Sequence, residues 1–93
     1  MKTIHKYILR VTEYQTIRMP YRTVPLCVQV QRHCWTENIC LWAEVDTDQP
    51  MMNFPVAIVG TGHGRNPNVS IYVGTVQQED LVWHIYMGVP TAS

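Results

Sequence analysis

The sequence predicts an all-β fold, a small sandwich or barrel of about seven mostly antiparallel strands, on three observations. Apolar and polar residues alternate with a period of two through most of the chain. No segment combines a helical period with start and stop signals. Prolines, glycines and short polar clusters break the alternating runs at close spacing, as turns between strands do.

The 93 residues suffice for one domain, spanning residues 1–93, and for no second one. A chain of this size buries roughly two thirds of the surface it exposes when unfolded, so a modest core is expected. Abundant apolar residues and few charges exclude a disordered chain. The formal charge of zero gives no global attraction to nucleic acid or membrane, so neither is an expected partner.

The first strand runs from Thr3 to Val11, with His5, Tyr7, Leu9 and Val11 on one side and Lys6 and Arg10 on the other. Lysines on the solvent side of an edge strand discourage pairing with another chain, and Lys2 and Lys6 are read in that sense. A short strand, Gln15 to Met19, ends at Pro20. Val24, Leu26, Val28 and Val30 alternate with Pro25, Cys27, Gln29 and Gln31 in the next strand, where Pro25 requires a strand end or an edge. A polar connection from Arg32 to Asn38 leads to Ile39, Leu41, Ala43 and Val45, which form one face. Trp42 and Glu44 share the other. After a loop from Thr47 to Asn53, the strand bearing Phe54, Val56 and Ile58 leads into a glycine-rich stretch. Val69, Ile71, Val73 and Thr75 follow on one face of a further strand, and Gln77 to Asp80 form a polar hairpin connection. The last strand, Leu81 to Met87, places Leu81, Trp83 and Ile85 on one side and His84 and Tyr86 on the other. Gly88, Val89 and Pro90 end the regular structure.

The glycine-rich stretch is Gly60-Thr61-Gly62-His63-Gly64-Arg65. Alternate glycines permit positive φ and close approach to the main chain, leaving amides free to hold an anion. The pattern is neither a P-loop, since no Gly-Lys-Ser/Thr follows, nor a dinucleotide fingerprint, since Pro67 and a β-branched run replace the helix. The candidate ligand residues are Gly60, Thr61, Gly62, His63, Gly64 and Arg65, with Trp42 as a ring for a planar group to stack on. A β-bulge with a hairpin connection is the competing account of the same glycines.

Enzymatic readings find little support. Ser70 lies within an expected strand and Ser93 at the chain end, so a serine triad has no natural nucleophile position. Cys34 beside His33 or His63 has no local thiol-enzyme signature. Asp46 with Asp48, and Glu79 with Asp80, suit turns better than a general acid/base pair. No catalytic residue, metal site or cofactor is assigned. Met1 to Lys6 is too polar for a secretory apolar region and no run approaches membrane-spanning length, so a cytosolic location is expected.

Lys6-Tyr7-Ile8-Leu9, Gln15-Thr16-Ile17-Arg18-Met19-Pro20, Val28-Gln29-Val30-Gln31, Leu41-Trp42-Ala43-Glu44-Val45-Asp46, Ile58-Val59-Gly60-Thr61-Gly62-His63, Tyr72-Val73-Gly74-Thr75-Val76-Gln77 and Leu81-Val82-Trp83-His84 resemble, in that order, a family of small uncharacterised proteins from bacteriophages and prophages. The likeness covers most of the chain and is most specific in the Gly-Thr-Gly-His, Gly-Thr and Val-Trp-His series. The glycine-arginine run after His63 and the segment around Cys34 depart from the family's pattern. The resemblance implies a viral accessory protein in the cytoplasm of a bacterial host, and it carries no catalytic residues.

The functional expectation is therefore a non-catalytic binding module for a phosphate-bearing small molecule, such as a nucleotide immune signal of the host. The alternative is a module that binds a host protein or belongs to the virion, with Trp42, Tyr72 and Tyr86 as anchors. A short chain with several strands leaves an edge or patch to cover, so a closed homo-oligomer is also expected.

Cys27, Cys34 and Cys40 are odd in number and contain no C-x-x-C pair, which argues against a complete disulfide framework and a structural zinc site. Thiol counting on the denatured protein is expected to return all three cysteines as free thiols, and elemental analysis to find no stoichiometric metal.

Overall fold

The computed structural model describes residues 1–92, apart from the side chain of His33; that imidazole and Ser93, both weighed above, lie outside the described residues. Among the described residues there are eight strands and no helix: β1 (Lys2–Leu9), β2 (Gln15–Pro20), β3 (Val24–His33), β4 (Thr36–Asp46), β5 (Met51–Gly60), β6 (Ile71–Gln78), β7 (Leu81–Met87) and β8 (Thr91–Ala92). They form two antiparallel sheets, one of order β1-β4-β3 and one of order β2-β5-β7-β6, with the short β8 also on β5.

The sheets stack face to face, and the shortest dimension of the molecule, 18 Å, is that of two such layers. Leu9, Val28, Ile39 and Leu41 from the first sheet meet Met19, Phe54, Val56, Ile58, Val76, Ile85 and Met87 from the second in one buried cluster. On β4 and β5 the residues of one face, Ile39, Leu41, Ala43 and Val45 and then Phe54, Val56 and Ile58, are all buried. Trp42 and Glu44 accordingly face outward on β4. Pro25 sits on an edge strand, next to a bulge, one of the places in a sheet where proline is tolerated.

Two bulges change the faces that simple alternation predicts. The register shifts between Pro25 and Cys27, so Val24 and Leu26 are exposed while Val28 is buried. A second shift, between Tyr72 and Gly74, turns Val76 into the core and Thr75 outward beside His84. Each extra residue moves the rest of its strand by one position, and the side-chain period of two converts that into a change of face.

Strand lengths also differ from the sequence expectation. The expected connection from Arg32 to Asn38 is mostly strand, closed by a tight turn in which Cys34 takes a positive φ of 53°. Thr91–Ala92 adds a strand after the expected end.

The order of the second sheet governs the rest of its surface. β7 lies between β5 and β6, so β5 and β6 run parallel and cannot be joined by a hairpin. Gly60 lies opposite Trp83 at one end of β7, whereas Ile71 lies opposite Met87 at the other. Residues 61–70 therefore run back along the outside of β7. Their contacts follow that path in order: Thr61 reaches His84, Arg65 reaches Tyr86, and Asn68 reaches Gly88. Val69 is fully buried at the end of this crossover.

The crossover can lie this low only because residue 88 has no side chain. A Cβ at Gly88 would stand 2.1 Å from the Asn68 carbonyl oxygen and 2.7 Å from Pro55 Cγ. Gly88→Ala is expected to cost about 3 kcal/mol, at the upper end for overpacking, because backbone rather than a flexible side chain has to move. Equilibrium denaturant unfolding checks this.

Candidate functional site

The crossover begins with a turn whose glycines have separate reasons. His63 N–H donates to the Gly60 carbonyl at 3.0 Å, and Gly62 has a φ of +88°, which together make the geometry of a type II turn. Gly60 leaves room for the His63 ring, since a Cβ there would lie 3.3 Å from His63 Nδ1 and 3.5 Å from Trp83 Cζ3. Nothing lies within 4 Å of a Cβ built at Gly64.

Thr61 and Arg65 fasten this turn to β7. Thr61 Oγ1 and His84 Nε2 share a hydrogen bond of 2.7 Å, and His84 Nδ1 pairs with Thr75 Oγ1 at 3.0 Å. Thr75 in turn is bonded to the Tyr72 hydroxyl, whose ring packs edge-on against Tyr86. The Arg65 guanidinium lies 5.2 Å from the centre of the Tyr86 ring and donates through Nη1 to the Val69 carbonyl at 2.6 Å. His84 is thus a histidine with a hydroxyl on each ring nitrogen, an arrangement that orients the imidazole between β6 and the crossover.

Opposite the turn stands the β1–β2 connection. It is closed by Gln15, a buried side chain that copies a strand partner: it accepts from Arg10 N–H at 3.1 Å and donates to the Arg10 carbonyl at 2.7 Å. Ile58 N–H also donates to the Thr12 carbonyl at 3.3 Å, which lays this connection along β5. Between the two loops opens a cleft of about 890 Å³, with Val11 to Tyr14 on one wall, Gly60 and His63 to Pro67 on the other, and Ile58 and Trp83 between them.

The structure brings Gly60, His63, Gly64 and Arg65 of the expected ligand residues to this cleft. Thr61 faces His84 instead. Trp42 stands elsewhere, on the outer side of β4 between Lys6 and Cys27 in register. The indole at the cleft is that of Trp83, which the sequence places on an inward face and so marks only as core. Tyr14 and Glu13 also come to the cleft through tertiary folding, and local sequence gives no signal for them. Among the described residues no His, Cys, Asp and Glu side chains gather in a group that could hold a metal ion. Cys27 is half-buried, Cys34 exposed and Cys40 buried.

A smaller hollow of about 420 Å³ lies between the β3–β4 and β6–β7 turns, lined by Arg32, Cys34, Trp35, Glu37, Gln78, Glu79 and Leu81. Arg32 and Glu37 form an ion pair there. Trp35, at the turn itself, is 99% exposed. The sequence hides it as one apolar residue in a polar connection.

The fold places the molecule among small all-β domains of two antiparallel sheets, with an open cleft at one end of the second. The chain belongs to the family described as Domain of unknown function (DUF7352), whose model matches residues 1–92. No curated protein and no solved structure matches it.

The separate roles of the glycines are testable by stability. Gly62→Val forces a β-branched residue into the left-handed region and is expected to cost about 1–2 kcal/mol. Gly64→Ala is expected to stay within about 0.5 kcal/mol of the parent. Thermal and denaturant unfolding of both variants measures the contrast.

Proposed function

We propose that the protein is a non-catalytic binding module, of the phage or prophage accessory kind that the sequence resemblance implies, holding a phosphate-bearing small molecule in the cleft between the β1–β2 connection and the crossover. The observation that carries this reading is the convergence of His63, Arg65 and Trp83 on one open cavity of about 890 Å³, a size suited to a nucleotide-sized ligand. Arg65 offers guanidinium donors to phosphate beyond the one bonded to Val69, and His63 adds a ring N–H. Trp83 takes the stacking role assigned above to Trp42. Glu13, on the opposite wall, accepts from sugar hydroxyls or a base amino group and favours a nucleotide over bare phosphate. Sequestration of a host nucleotide immune signal needs no turnover and fits the absence of an assigned nucleophile or acid/base pair.

A second reading rests on Trp35. A fully exposed indole at a hairpin tip, beside the exposed Leu81, has the character of an anchor for a host protein.

Calorimetry against linear and cyclic nucleotides separates the two, with recovered ligand checked for chemical change. Binding without conversion is expected, and Arg65→Ala is expected to weaken it by about 1.5–3 kcal/mol, a ten- to hundredfold effect. Because Arg65 also holds Val69, the variant's unfolding midpoint is measured alongside. Silence across the panel, with capture of a host protein that Trp35→Ala abolishes, replaces the first reading by the second.

A further inference from the structure

The two walls of the cleft differ in kind. One carries the nitrogen donors of His63 and Arg65, and the other carries Glu13, the one acidic side chain among the described residues that line it. Glu13 is exposed and makes no hydrogen bond or ion pair among the described residues. Its backbone is nevertheless fixed on both sides. The carbonyl before it, of Thr12, accepts from Ile58 N–H, and Gln15, two residues on, clasps the Arg10 backbone through both ends of its amide. An acceptor with free lone pairs, presented to a cavity from an anchored segment, has the arrangement of a specificity contact.

The strands set its distance from the indole. The Thr12–Ile58 bond places the connection one strand spacing from β5, and Trp83 lies one spacing beyond, opposite Gly60. The backbones at Glu13 and Trp83 are therefore about 10–12 Å apart, two spacings across and up to two residues along. That leaves room for one planar base between carboxylate and indole. Phosphate, sugar and base follow one another in a nucleotide. With the phosphate at Arg65 and His63, the sugar stays near the crossover and the far edge of the base is what reaches Glu13.

An ionised carboxylate only accepts, and its two oxygens take two parallel N–H groups. Among the nucleobases guanine presents such a pair, N1–H beside the 2-amino group. Adenine and cytosine offer an amino group beside a ring nitrogen whose lone pair faces the carboxylate, and uracil offers one N–H between two carbonyls. Resting on the phosphate-ligand reading of the cleft, we propose that it selects guanine nucleotides and that Glu13 determines the choice, by accepting from guanine N1–H and the 2-amino group.

Calorimetry of the full chain with the 5′-monophosphates and 3′,5′-cyclic monophosphates of guanosine, inosine and adenosine tests this, since inosine keeps N1–H and lacks the 2-amino group. The guanosine nucleotide is expected to bind about tenfold tighter than the inosine one, and that about tenfold tighter than the adenosine one, one charge-assisted hydrogen bond being lost at each step. Glu13→Gln replaces two acceptors by one acceptor and one donor, which match the 6-amino group and neighbouring ring nitrogen of adenine. The variant is expected to weaken guanosine binding by about tenfold or more and to strengthen adenosine binding, and a gain of that kind cannot arise from misfolding. Equal affinity for the three bases, or a Glu13→Gln loss that is the same for all, overturns the base assignment while leaving the nucleotide cleft in place, with Glu13 on the sugar or in solvent. Silence of every nucleotide on the wild-type protein removes the phosphate-ligand reading, and this one with it.

Discussion

The position of β7 between β5 and β6 is the constraint on which the second sheet depends. It makes β5 and β6 parallel, and parallel neighbours need a connection that returns over the sheet. Residues 61–70 are that connection, and their fastenings are those of a segment laid on a surface: hydroxyl to imidazole at Thr61 and His84, cation to ring at Arg65 and Tyr86, and a buried Val69 at the far end. The outer side of β7 is thereby covered without a third layer, which explains why Ala57 is fully buried on the side of β5 away from the core.

This constraint gives the glycine-rich stretch two meanings at once. Gly62 serves a type II turn and Gly60 clears space for His63, so both are accounted for by the path of the chain. That same path carries His63 and Arg65 to the rim of a cavity whose other wall is built by the Gln15 clasp. A structural need for glycine and a presented pair of nitrogenous side chains are compatible, because the turn that lays the chain on the sheet also sets the side chains beside the opening. Gly64, with open space around it and no positive φ, is required neither by the turn nor by the packing of His63, although it lines the cleft.

The sequence shows the all-β class plainly because β4 alternates along its length and because no helical period competes with it. It also shows β7 to its exact bounds, Leu81 to Met87. It conceals the faces of β3 and β6, since a bulge is one extra residue with no compositional mark at Leu26 or Val73. The turn at Cys34 is concealed as well, for its positive φ falls on a residue other than glycine. Strand order is a non-local property, so neither the crossover nor the meeting of Glu13, Tyr14 and Trp83 at the cleft is legible locally. In the sequence pattern Trp42 shares a face with Glu44 and so offers an outward ring. The sheet assignment, which alternation cannot supply, puts it on the other layer.

The crossover also orders events in time. Residues 61–70 precede β7 in the chain yet rest upon it, so during synthesis they emerge before their support exists. The β6–β7 hairpin, being local, can form early. The crossover can settle only after that hairpin has docked on β5, when Tyr86 and His84 come into reach. Val69 is therefore among the last residues of the chain to leave water.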